Sequence, residues 1–424
     1  MITREDCIRQ DSGDSLAPLR ALFALEGADA EGVIYLDGNS LGVLPRAAAR
    51  RIGEVVEGEW GRGLIRSWNT AGWITLSQRI GDKLAALIGA GSGEVMVADS
   101  TSVNLFKALN AARFVMTPGR TRLISEVTNF PTDLYIAETF AREHGLELVL
   151  VEQSGIAAHL DDRAAILMLT HVNYRTGFMH AMTEVTRAAH NAGAVVIWDL
   201  AHSAGAVPVN LREAGADFAV GCGYKYLNGG PGAPAFIWAH PSHLTAMDRE
   251  DWRQPLSGWL GHAAPFDFTP HYRPARGIAR FICGTPPVIA TAALECGVDT
   301  VLAAGAHGGM TAIRQKSVAL TDLFMQLIDQ RCAAHGFTIV TPREADRRGS
   351  QASIAHPHAG YAITQALIAR GVIGDFRAPD ILRFGFTPLY TRFADVWDAV
   401  DRLAAVMTSG EWRDPRYAIR ATVT

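Results

Sequence analysis

The chain has 424 residues, of which 48% are apolar and 19% are charged, a balance typical of a globular protein with one large core and a smaller second domain. Its formal net charge of −4 and isoelectric point near 6.4 provide no basic field that would attract nucleic acid or an anionic membrane surface. These values favour a protein that acts on small molecules.

The N-terminus and the cysteines indicate the compartment. The segment MITREDCIRQDSGD lacks the apolar run of a signal peptide, and no stretch approaches the roughly 18 uninterrupted apolar residues of a membrane span. The cysteines lack CxxC pairs and metal-ligand spacing, which indicates reduced thiols in a cytoplasmic protein without a membrane segment. We expect each to be buried as a small hydrophobic residue: Cys7, Cys222, Cys283, Cys296 and Cys332.

The first predicted element is an arm, residues 1–40, that packs against a domain or a partner subunit. At its end, residues 38–42 (GNSLG) match the GxSxG pattern of serine hydrolases. In those enzymes the serine leads directly into a helix, whereas here Val43 and Leu44 intervene, and Pro45 before RAAARR indicates the real helix start. The sequence therefore predicts a turn at Ser40, not a nucleophile.

From about residue 94, short apolar runs alternate with longer amphipathic segments. Runs this apolar are typical of strands covered on both faces, so residues 41–300 are predicted to form an α/β domain with a mainly parallel sheet and helices on both faces. The predicted strands are residues 94–99, 122–126, 146–152, 164–170, 195–200, 217–222 and 234–239. Beyond residue 300 the pattern changes, and residues 301–424 are predicted to form a smaller α+β domain.

Polar side chains follow several of these strands, at the end of a parallel sheet where ligands bind. Ser102, His171, Asp199, Tyr224 and Lys225 occupy such positions. The sequence contains no GxxxxGK[ST] loop and no HExxH helix, and GCGYKY lacks the last glycine of GxGxxG. The histidines fall on different predicted elements without a short ligand spacing, so no metal site is predicted.

Asp199 and Lys225 are the charged residues among these apolar surroundings. An unpaired carboxylate at the end of AVVIWD would be costly to bury, so a cationic or hydrogen-bonding partner is expected. A buried ion pair is one explanation. The other is a chemistry that needs both groups: a lysine that forms a Schiff base with pyridoxal phosphate (PLP), and an aspartate that keeps the pyridine nitrogen protonated. Serine and threonine near the helix start at Ser102 would then bind the phosphate.

The segment WDLAHSAGAVPVNLREAGADFAVGCGYKYLNGGPG resembles the cofactor segment of kynureninases, within fold type I of the PLP-dependent transferases, the aspartate-aminotransferase-like group. The resemblance continues in order through DGNSLG, TSVNLF, NFPTDLY, SGWLGH and RFGFTPLY, and so covers most of the chain. Aspartate and lysine alone would indicate only the superfamily, whereas DLAHSAG with YKYLNGGPG is far more specific.

The resemblance implies a role for each matching residue. Lys225 would hold PLP and move protons at the substrate, Asp199 would pair with the pyridine nitrogen, and Tyr224 would donate a proton in later steps. The implied cofactor-binding residues are Thr101, Ser102, Phe130, Asp133, Thr170, Asp199, His202, Tyr224, Lys225, Trp259 and Thr285. For His202, a satisfied polar core residue is the alternative.

For the substrate, the resemblance implies that Arg383 binds the α-carboxylate with its forked guanidinium. A surface arginine is the alternative, which the apolar FGF that follows disfavours. The implied substrate-binding residues are Arg383, Ser40, Asn39, Trp68 and His202. Trp68 and Thr285 match the aryl pocket of the family, and this pairing resembles members that prefer kynurenine to 3-hydroxykynurenine.

The implied reaction is hydrolysis of the Cβ–Cγ bond of L-kynurenine to anthranilate and L-alanine, a step of tryptophan catabolism and of the kynurenine pathway towards NAD biosynthesis. The implied assembly is a homodimer with shared active sites, to which Trp259 or Ser40 of a neighbour contributes. Two alternatives stay within the fold: a class V aminotransferase or a cysteine desulfurase. A desulfurase needs a cysteine on a mobile loop, and the comparable stretch RRGSQASI has none. A PLP-binding protein without catalysis is the third alternative.

Overall fold

A computed structural model describes residues 1–420. Its central feature is a seven-stranded sheet. From one edge to the other, the strands are Val95–Val97, Phe236–Ala239, Phe218–Gly221, Val195–Asp199, Ala164–Thr170, Arg122–Glu126 and Glu147–Val151. Phe236–Ala239 runs antiparallel to both neighbours, and the other pairs are parallel. The predicted strands and the mainly parallel sheet are confirmed.

Both faces of this sheet are buried, as the apolar runs predicted, except along the edge strand Glu147–Val151, where Leu150 is 42% exposed. In the interior strand Ala164–Thr170, Leu167 and Leu169 pack into one hydrophobic cluster, while Ile166 and Met168 pack into another. Successive side chains of a strand point to opposite faces, so each face has its own helical cover. This double burial leaves only the strand ends open to a ligand.

Helices connect the strands and cover the sheet. The α-helices of the described chain are Arg4–Ser12, Glu26–Ala30, Arg46–Gly53, Ser67–Thr70, Leu76–Leu87, Thr101–Val115, Pro131–His144, Ile156–His159, Met182–Asn191, Pro241–Arg249, Val288–Leu302, Gly309–Arg331, Gly360–Ala369 and Phe393–Ser409, and a π-helix, Glu54–Gly63, follows the third of them. The GNSLG segment is a turn, in which Ser40 N–H donates to the Asp37 carbonyl (2.9 Å), and the next helix begins at Arg46. The predicted turn at Ser40 is therefore confirmed.

The C-terminal part of the chain forms a second, four-stranded sheet that is antiparallel throughout. Its strands, in spatial order, are Asp375–Arg377, Ile381–Gly385, Gln351–Ala355 and Thr338–Ile339. Helices Gly309–Arg331 and Phe393–Ser409 supply much of its hydrophobic core, including Phe324 and Val400. This is the α+β architecture predicted for the smaller domain. The domain boundaries at residues 40 and 300 stay predictions.

The N-terminal arm packs against both parts of the molecule. Its strand Ile34–Tyr35 pairs in parallel with Val372–Ile373. The Asp11 carboxylate accepts hydrogen bonds from the N–H groups of Phe393 (2.7 Å) and Ala394 (3.0 Å), where a helix begins. Phe23 of the same arm lies in the core of the large domain. The arm thus links the two sheets and brings residues 37–40 beside the C-terminal sheet.

One helical stretch, Val288–His307, has the length and apolar composition of a membrane span, and half of it is buried inside the protein. Leu294 and Val298 pack into the core, while Glu295 and Asp299 both form ion pairs with Lys83 (3.0 and 2.7 Å). This packing is that of a core helix.

The cysteines of the described chain are unpaired. Cys7, Cys222 and Cys332 are buried as expected, but Cys283 and Cys296 are half-buried. The expectation that every cysteine is buried was wrong, because Cys283 lies in a loop and Cys296 on the outward side of its helix.

Candidate active site

The polar residues that follow the strands converge on one cavity of about 190 Å³ at the carboxyl end of the large sheet. Asp199 and Thr170 end neighbouring strands, and Lys225 follows the next one. The residues named from the sequence that line this cavity are Thr101, Ser102, Phe130, Asp133, Thr170, Asp199, His202, Tyr224 and Lys225. Parallel strands place these side chains together because their carboxyl ends meet at one edge.

Lys225 projects into this cavity. Its Nζ lies 2.8 Å from Nε2 of His202 and 5.8 Å from the centre of the Tyr224 ring. Burial lowers the pKa of Lys225, and the neighbouring Cys222 and Asp199 oppose this shift only in part. A lysine with a lowered pKa is more often neutral, and a neutral amine can attack a carbonyl or accept a proton.

His202 is the ring that contacts the Lys225 amine. Burial, followed by the nearby Lys225, lowers the pKa of His202 well below its usual value, so the ring is neutral at physiological pH. Its Nδ1 is buried and has no hydrogen-bond partner in the described structure. One ring nitrogen can therefore accept a hydrogen bond while the other donates one. This free capacity is typical of a residue beside a ligand, not of a core residue whose hydrogen bonds are all made.

Two buried carboxyl groups, Asp133 and Asp199, form the floor of the cavity. Oδ1 of Asp199 accepts from Ala201 N–H (2.7 Å), but Oδ2 of Asp133 has no hydrogen-bond partner among the described residues. Burial raises the pKa of both groups, and the charge of Asp199 raises that of Asp133 further. The pair thus has spare acceptor capacity and no firm cationic partner, an arrangement that fits a ligand carrying a protonated ring nitrogen.

The rim of the cavity offers groups for a phosphate and for an aromatic ring. Thr101 and Ser102 open the helix Thr101–Val115, whose free N–H groups and dipole favour an anion. Phe130 is 41% exposed, and its ring meets that of Tyr174 edge-on at 5.3 Å between centroids. Thr170 donates its hydroxyl hydrogen to Asn129. These residues can hold a flat, phosphorylated heteroaromatic compound.

Arg383 lies in a second buried cluster beside this cavity. It is 1% exposed, and Nε donates to Oδ1 of Asp375 (2.8 Å) while Nη2 contacts Oδ2. Nη2 also donates to Ser40 Oγ (2.7 Å), and Nη1 donates to the Tyr174 carbonyl (2.8 Å). Burial works against ionisation of Asp375, but the two guanidinium groups of Arg383 and Arg377 outweigh it and lower its pKa.

Asn39 connects this cluster to the arm. With its amide oxygen towards Arg383, it accepts from Nε (2.9 Å) and donates to Oδ1 of Asp37 (3.2 Å). Burial, with the charge of Asp375, raises the pKa of Asp37 to about 7. The residues named for substrate binding, Asn39, Ser40 and Arg383, are therefore in direct contact with each other.

Tyr174, Gln351, Asp375 and Arg377 were missed by the sequence reasoning. Tyr174 lines the cavity, and its carbonyl accepts from both Gln351 (3.1 Å) and Arg383 (2.8 Å), so Tyr174 joins the cavity to the arginine cluster. A signal for Asp375 did exist: the strands Asp375–Arg377 and Ile381–Gly385 form a hairpin that places Asp375 directly opposite Arg383. Opposite charges at paired positions of a hairpin are a recognisable pattern.

Trp68, Trp259 and Thr285 do not line the cavity of their own chain. Trp259 meets Trp68 edge-on at 6.1 Å and Phe266 at 5.9 Å, and Trp68 meets Trp73 at 6.2 Å. Thr285 is exposed. The three residues thus lie on an aromatic surface and an adjoining loop, and their roles in binding stay predictions.

Comparison with known proteins identifies the family. The chain is 55% identical to a kynureninase of Burkholderia pseudomallei strain K96243 and 54% identical to one of Pseudomonas fluorescens, and each alignment covers all of both chains. The chain belongs to the kynureninase family. Residues 313–403 also match the model of the kynureninase C-terminal domain.

Solved structures show the same fold at much lower sequence identity. A cysteine desulfurase of Thermococcus onnurineus NA1 has a TM-score of 0.76 at 18% identity, and covers 92% of this chain and 98% of its own. The cystine C–S lyase C-DES, in complex with cysteine persulfide, has a TM-score of 0.76 at 17% identity, over 89% of this chain and 98% of its own. Membership of fold type I, predicted from the sequence, is confirmed.

Proposed function

We propose that this protein is a PLP-dependent kynureninase, which hydrolyses the Cβ–Cγ bond of L-kynurenine to anthranilate and L-alanine. The observation that carries the proposal is identity of about 55%, over the full length, to proteins named kynureninase. The cavity supports it, because Lys225 and Asp199 face the same space. Kynurenine rather than 3-hydroxykynurenine is the proposed preferred substrate, and tryptophan catabolism with the kynurenine pathway to NAD is the proposed context.

The groups that line the cavity are chemically suited to bind PLP. The acceptor capacity of Asp133 and Asp199 suits the protonated pyridine nitrogen, and Phe130 suits the ring face. Thr101, Ser102 and Tyr224 suit the phosphate, with Trp259 and Thr285 proposed as further phosphate contacts. PLP held in this cavity would supply an electron sink for the bonds at Cα of an amino-acid substrate, once the substrate amine has replaced Lys225 on it.

Lys225 is the proposed general base. Its lowered pKa favours the neutral amine, the form that can accept the Cα proton and return it elsewhere on the substrate. His202 Nε2, at 2.8 Å, holds this amine in place. Burial raises the pKa of Tyr224, so its hydroxyl keeps its proton and can act as an acid in a later step.

Arg383 is the proposed anchor for the substrate α-carboxylate. The guanidinium is held flat by Asp375, Ser40 and the Tyr174 carbonyl, so its orientation is fixed before a substrate arrives. Because Asp375 occupies the forked side of Arg383, a substrate carboxylate has to use the remaining edge or displace Asp375. Asn39 and Ser40 are the proposed hydrogen-bonding neighbours of the bound carboxylate.

A second copy of the chain is the proposed partner. An apolar groove of about 680 Å³, lined by Leu44, Ile52, Trp60, Trp73 and Ile289 among others, lies open on the surface. Trp60 in this groove is 59% exposed, and apolar surface patches of this kind are typical of sites that bind another protein. Trp73 joins the groove to the aromatic surface that carries Trp259. A homodimer would cover this surface and bring Trp259 towards a neighbouring active site.

Sedimentation of the purified protein tests this assembly. The proposal predicts a dimer, and Trp60→Glu should weaken it because a carboxylate would be buried in an apolar interface. A monomer at all concentrations would contradict it. The unpaired cysteines support the proposed cytoplasmic location.

A cysteine desulfurase is the alternative that the fold similarity favours. Such an enzyme needs an accessible cysteine nucleophile near the substrate. Cys332 is the cysteine nearest in sequence to the relevant loop, but it is 0% exposed at the end of helix Gly309–Arg331. This burial favours kynurenine cleavage over desulfuration.

Product analysis tests the function. The protein, supplied with PLP and L-kynurenine, is expected to release fluorescent anthranilate and alanine in equal amounts, and to release no sulfide from L-cysteine. A transamination product without anthranilate would favour an aminotransferase, and sulfide release would favour a desulfurase. PLP binding without any product would favour a binding protein.

A further inference from the structure

Lys107 is a fully buried cation on the helix that begins at the predicted phosphate site. Its side chain is 0% exposed on helix Thr101–Val115. Nζ forms an ion pair with the Asp99 carboxylate and donates to the Phe281 carbonyl (2.5 Å). Lysine is almost never fully buried unless it is paired, so this position needs an explanation.

The position of Asp99, the ionic partner of Lys107, explains why a lysine is buried here. It lines the same cavity as Thr101 and Ser102, and its side chain is only partly buried. Its backbone adopts a left-handed conformation (φ 49°), which Asp tolerates better than most residues. A carboxylate beside a phosphate would repel it across a short distance, so an anion site here requires that the charge of Asp99 be compensated.

The second contact of Lys107 reaches another segment. Phe281 precedes the loop that contains Cys283 and Thr285, and the backbone of Cys283 packs directly on Gly258, where any β-carbon would clash with it. Thr285 and Trp259, the neighbour of Gly258, are the other residues named for phosphate binding. Lys107 therefore ties the turn at residues 99–102 to the loop at residues 281–285.

We propose that Lys107 is a positioning residue for the cofactor phosphate: its ammonium neutralises Asp99 and fixes the turn that presents Thr101 and Ser102. This inference rests on the proposed function, because it takes PLP as the ligand of the cavity. Lys107 does not touch the reacting atoms, so its loss should act on the affinity for the phosphate and not on the chemistry at Lys225.

Titration of the dialysed protein with PLP, and in parallel with pyridoxal, which lacks the phosphate, separates these effects. The dissociation constants come from the absorption change on binding. Lys107→Met should weaken PLP binding about tenfold or more, since it leaves an uncompensated carboxylate beside the phosphate, while pyridoxal binding changes less than about twofold. The double variant Lys107→Met/Asp99→Asn should recover most of the PLP affinity, because it removes both charges and Asn tolerates the left-handed turn.

Asp99→Asn alone provides a measurement that does not depend on the folding of Lys107→Met. It should leave PLP affinity unchanged or raise it, because it removes a negative charge beside the phosphate while the Lys107 ammonium keeps its hydrogen bond to the Phe281 carbonyl and can still donate one to Asn. Equal weakening of PLP and pyridoxal by Lys107→Met, no recovery in the double variant, or weaker PLP binding by Asp99→Asn would each overturn the proposal. A wild-type protein that binds neither compound would contradict the proposed function itself.

Discussion

Two buried polar regions lie side by side in this molecule, and they treat their charges in opposite ways. Around Arg383, the guanidinium is held by Asp375, Ser40 and a backbone carbonyl. Around Lys225, the amine has a lowered pKa because of burial, and Asp133 keeps an oxygen without a hydrogen bond. The first region holds its guanidinium with protein groups alone, whereas the second leaves acceptor capacity that a ligand can use.

This difference separates orientation from chemistry. A paired arginine is rigid and recognises a carboxylate by shape, while the Lys225 amine is reactive because burial disfavours its charged form more than Cys222 and Asp199 stabilise it. We therefore expect substitutions in the Lys225 region to affect turnover and cofactor binding, and substitutions in the Arg383 region to affect the Michaelis constant for substrate.

Lys225→Ala should have the largest effect. Without the amine there is neither a covalent link to PLP nor a base for the Cα proton, so kcat should fall by at least about 10²–10⁴-fold. Lys83→Ala, which removes ion pairs with Glu295 and Asp299 away from the cavity, is the matched control and should keep full activity. Activity in Lys225→Ala close to that of the wild type would contradict the assignment.

Asp133→Asn should raise the stability of the protein without PLP and, at the same time, weaken its binding of PLP. Burial, followed by the charge of Asp199, raises the pKa of Asp133, so the folded protein without PLP holds a proton that the unfolded chain loses above its ordinary pKa near 4. This carboxyl therefore costs the wild type stability as the pH rises above about 4. Each tenfold difference in proton affinity between the folded and unfolded chains corresponds to about 1.4 kcal/mol.

Because Asn does not ionise, Asp133→Asn should unfold at a higher temperature than the wild type when PLP is absent, with a larger gap at pH 8 than at pH 5. It should also bind PLP more weakly. Thermal unfolding at the two pH values checks this, and a gap that does not change with pH would show that Asp133 ionises freely in the folded protein.

Arg383→Lys should act on substrate binding. A lysine cannot replace the forked contact, and losing about 1.4–2.8 kcal/mol would raise KM for L-kynurenine about 10–100-fold. Arg370→Lys is a matched control, since Arg370 makes a similar forked contact with Glu411 on the surface (2.6 and 3.0 Å). Steady-state kinetics and a PLP titration distinguish the outcomes: weakened PLP binding with unchanged KM would place Arg383 at the cofactor instead.

Ser40→Ala should have the smallest effect of these variants. It removes the hydrogen bonds of Ser40 with Arg383 (2.7 Å), Asp375 (2.8 Å) and, at 3.4 Å, Arg377, but the ion pair between Arg383 and Asp375 remains. A loss of about 0.5–1.5 kcal/mol corresponds to a rise in KM of about 2–10-fold. A loss of turnover comparable to that of Lys225→Ala would revive the hypothesis of a serine nucleophile in GNSLG.

Much of the Lys225 region could be predicted from the sequence, and the reason is geometric. Residues such as Asp199 and Thr170 come directly after apolar strands, and strand order in a parallel sheet brings such ends together. Family resemblance then added Phe130 and Asp133, which lie at the start of a helix and carry no periodic signal of their own.

The Arg383 region could be predicted only in part. Asn39 and Ser40 meet Arg383 through contacts between residues more than 300 positions apart, which no local pattern encodes. Tyr174 takes part through its backbone carbonyl, a group that every residue carries, so its identity gave no hint of the role. A hairpin between the strands of Asp375 and Arg383 could have been predicted from their charges. Which residues lie opposite each other depends on the turn, however, and the sequence does not specify that turn.

Identification of the lysine that reacts with PLP tests the central claim most directly. The protein is saturated with PLP, reduced with borohydride, digested, and analysed by mass spectrometry for the peptide that carries the reduced pyridoxyl group. We expect the label on Lys225, whose amine lacks an ionic partner, and none on Lys107 or Lys316, whose amines are paired with Asp99 and Asp14. A label on either paired lysine, or no label at all, would contradict the account.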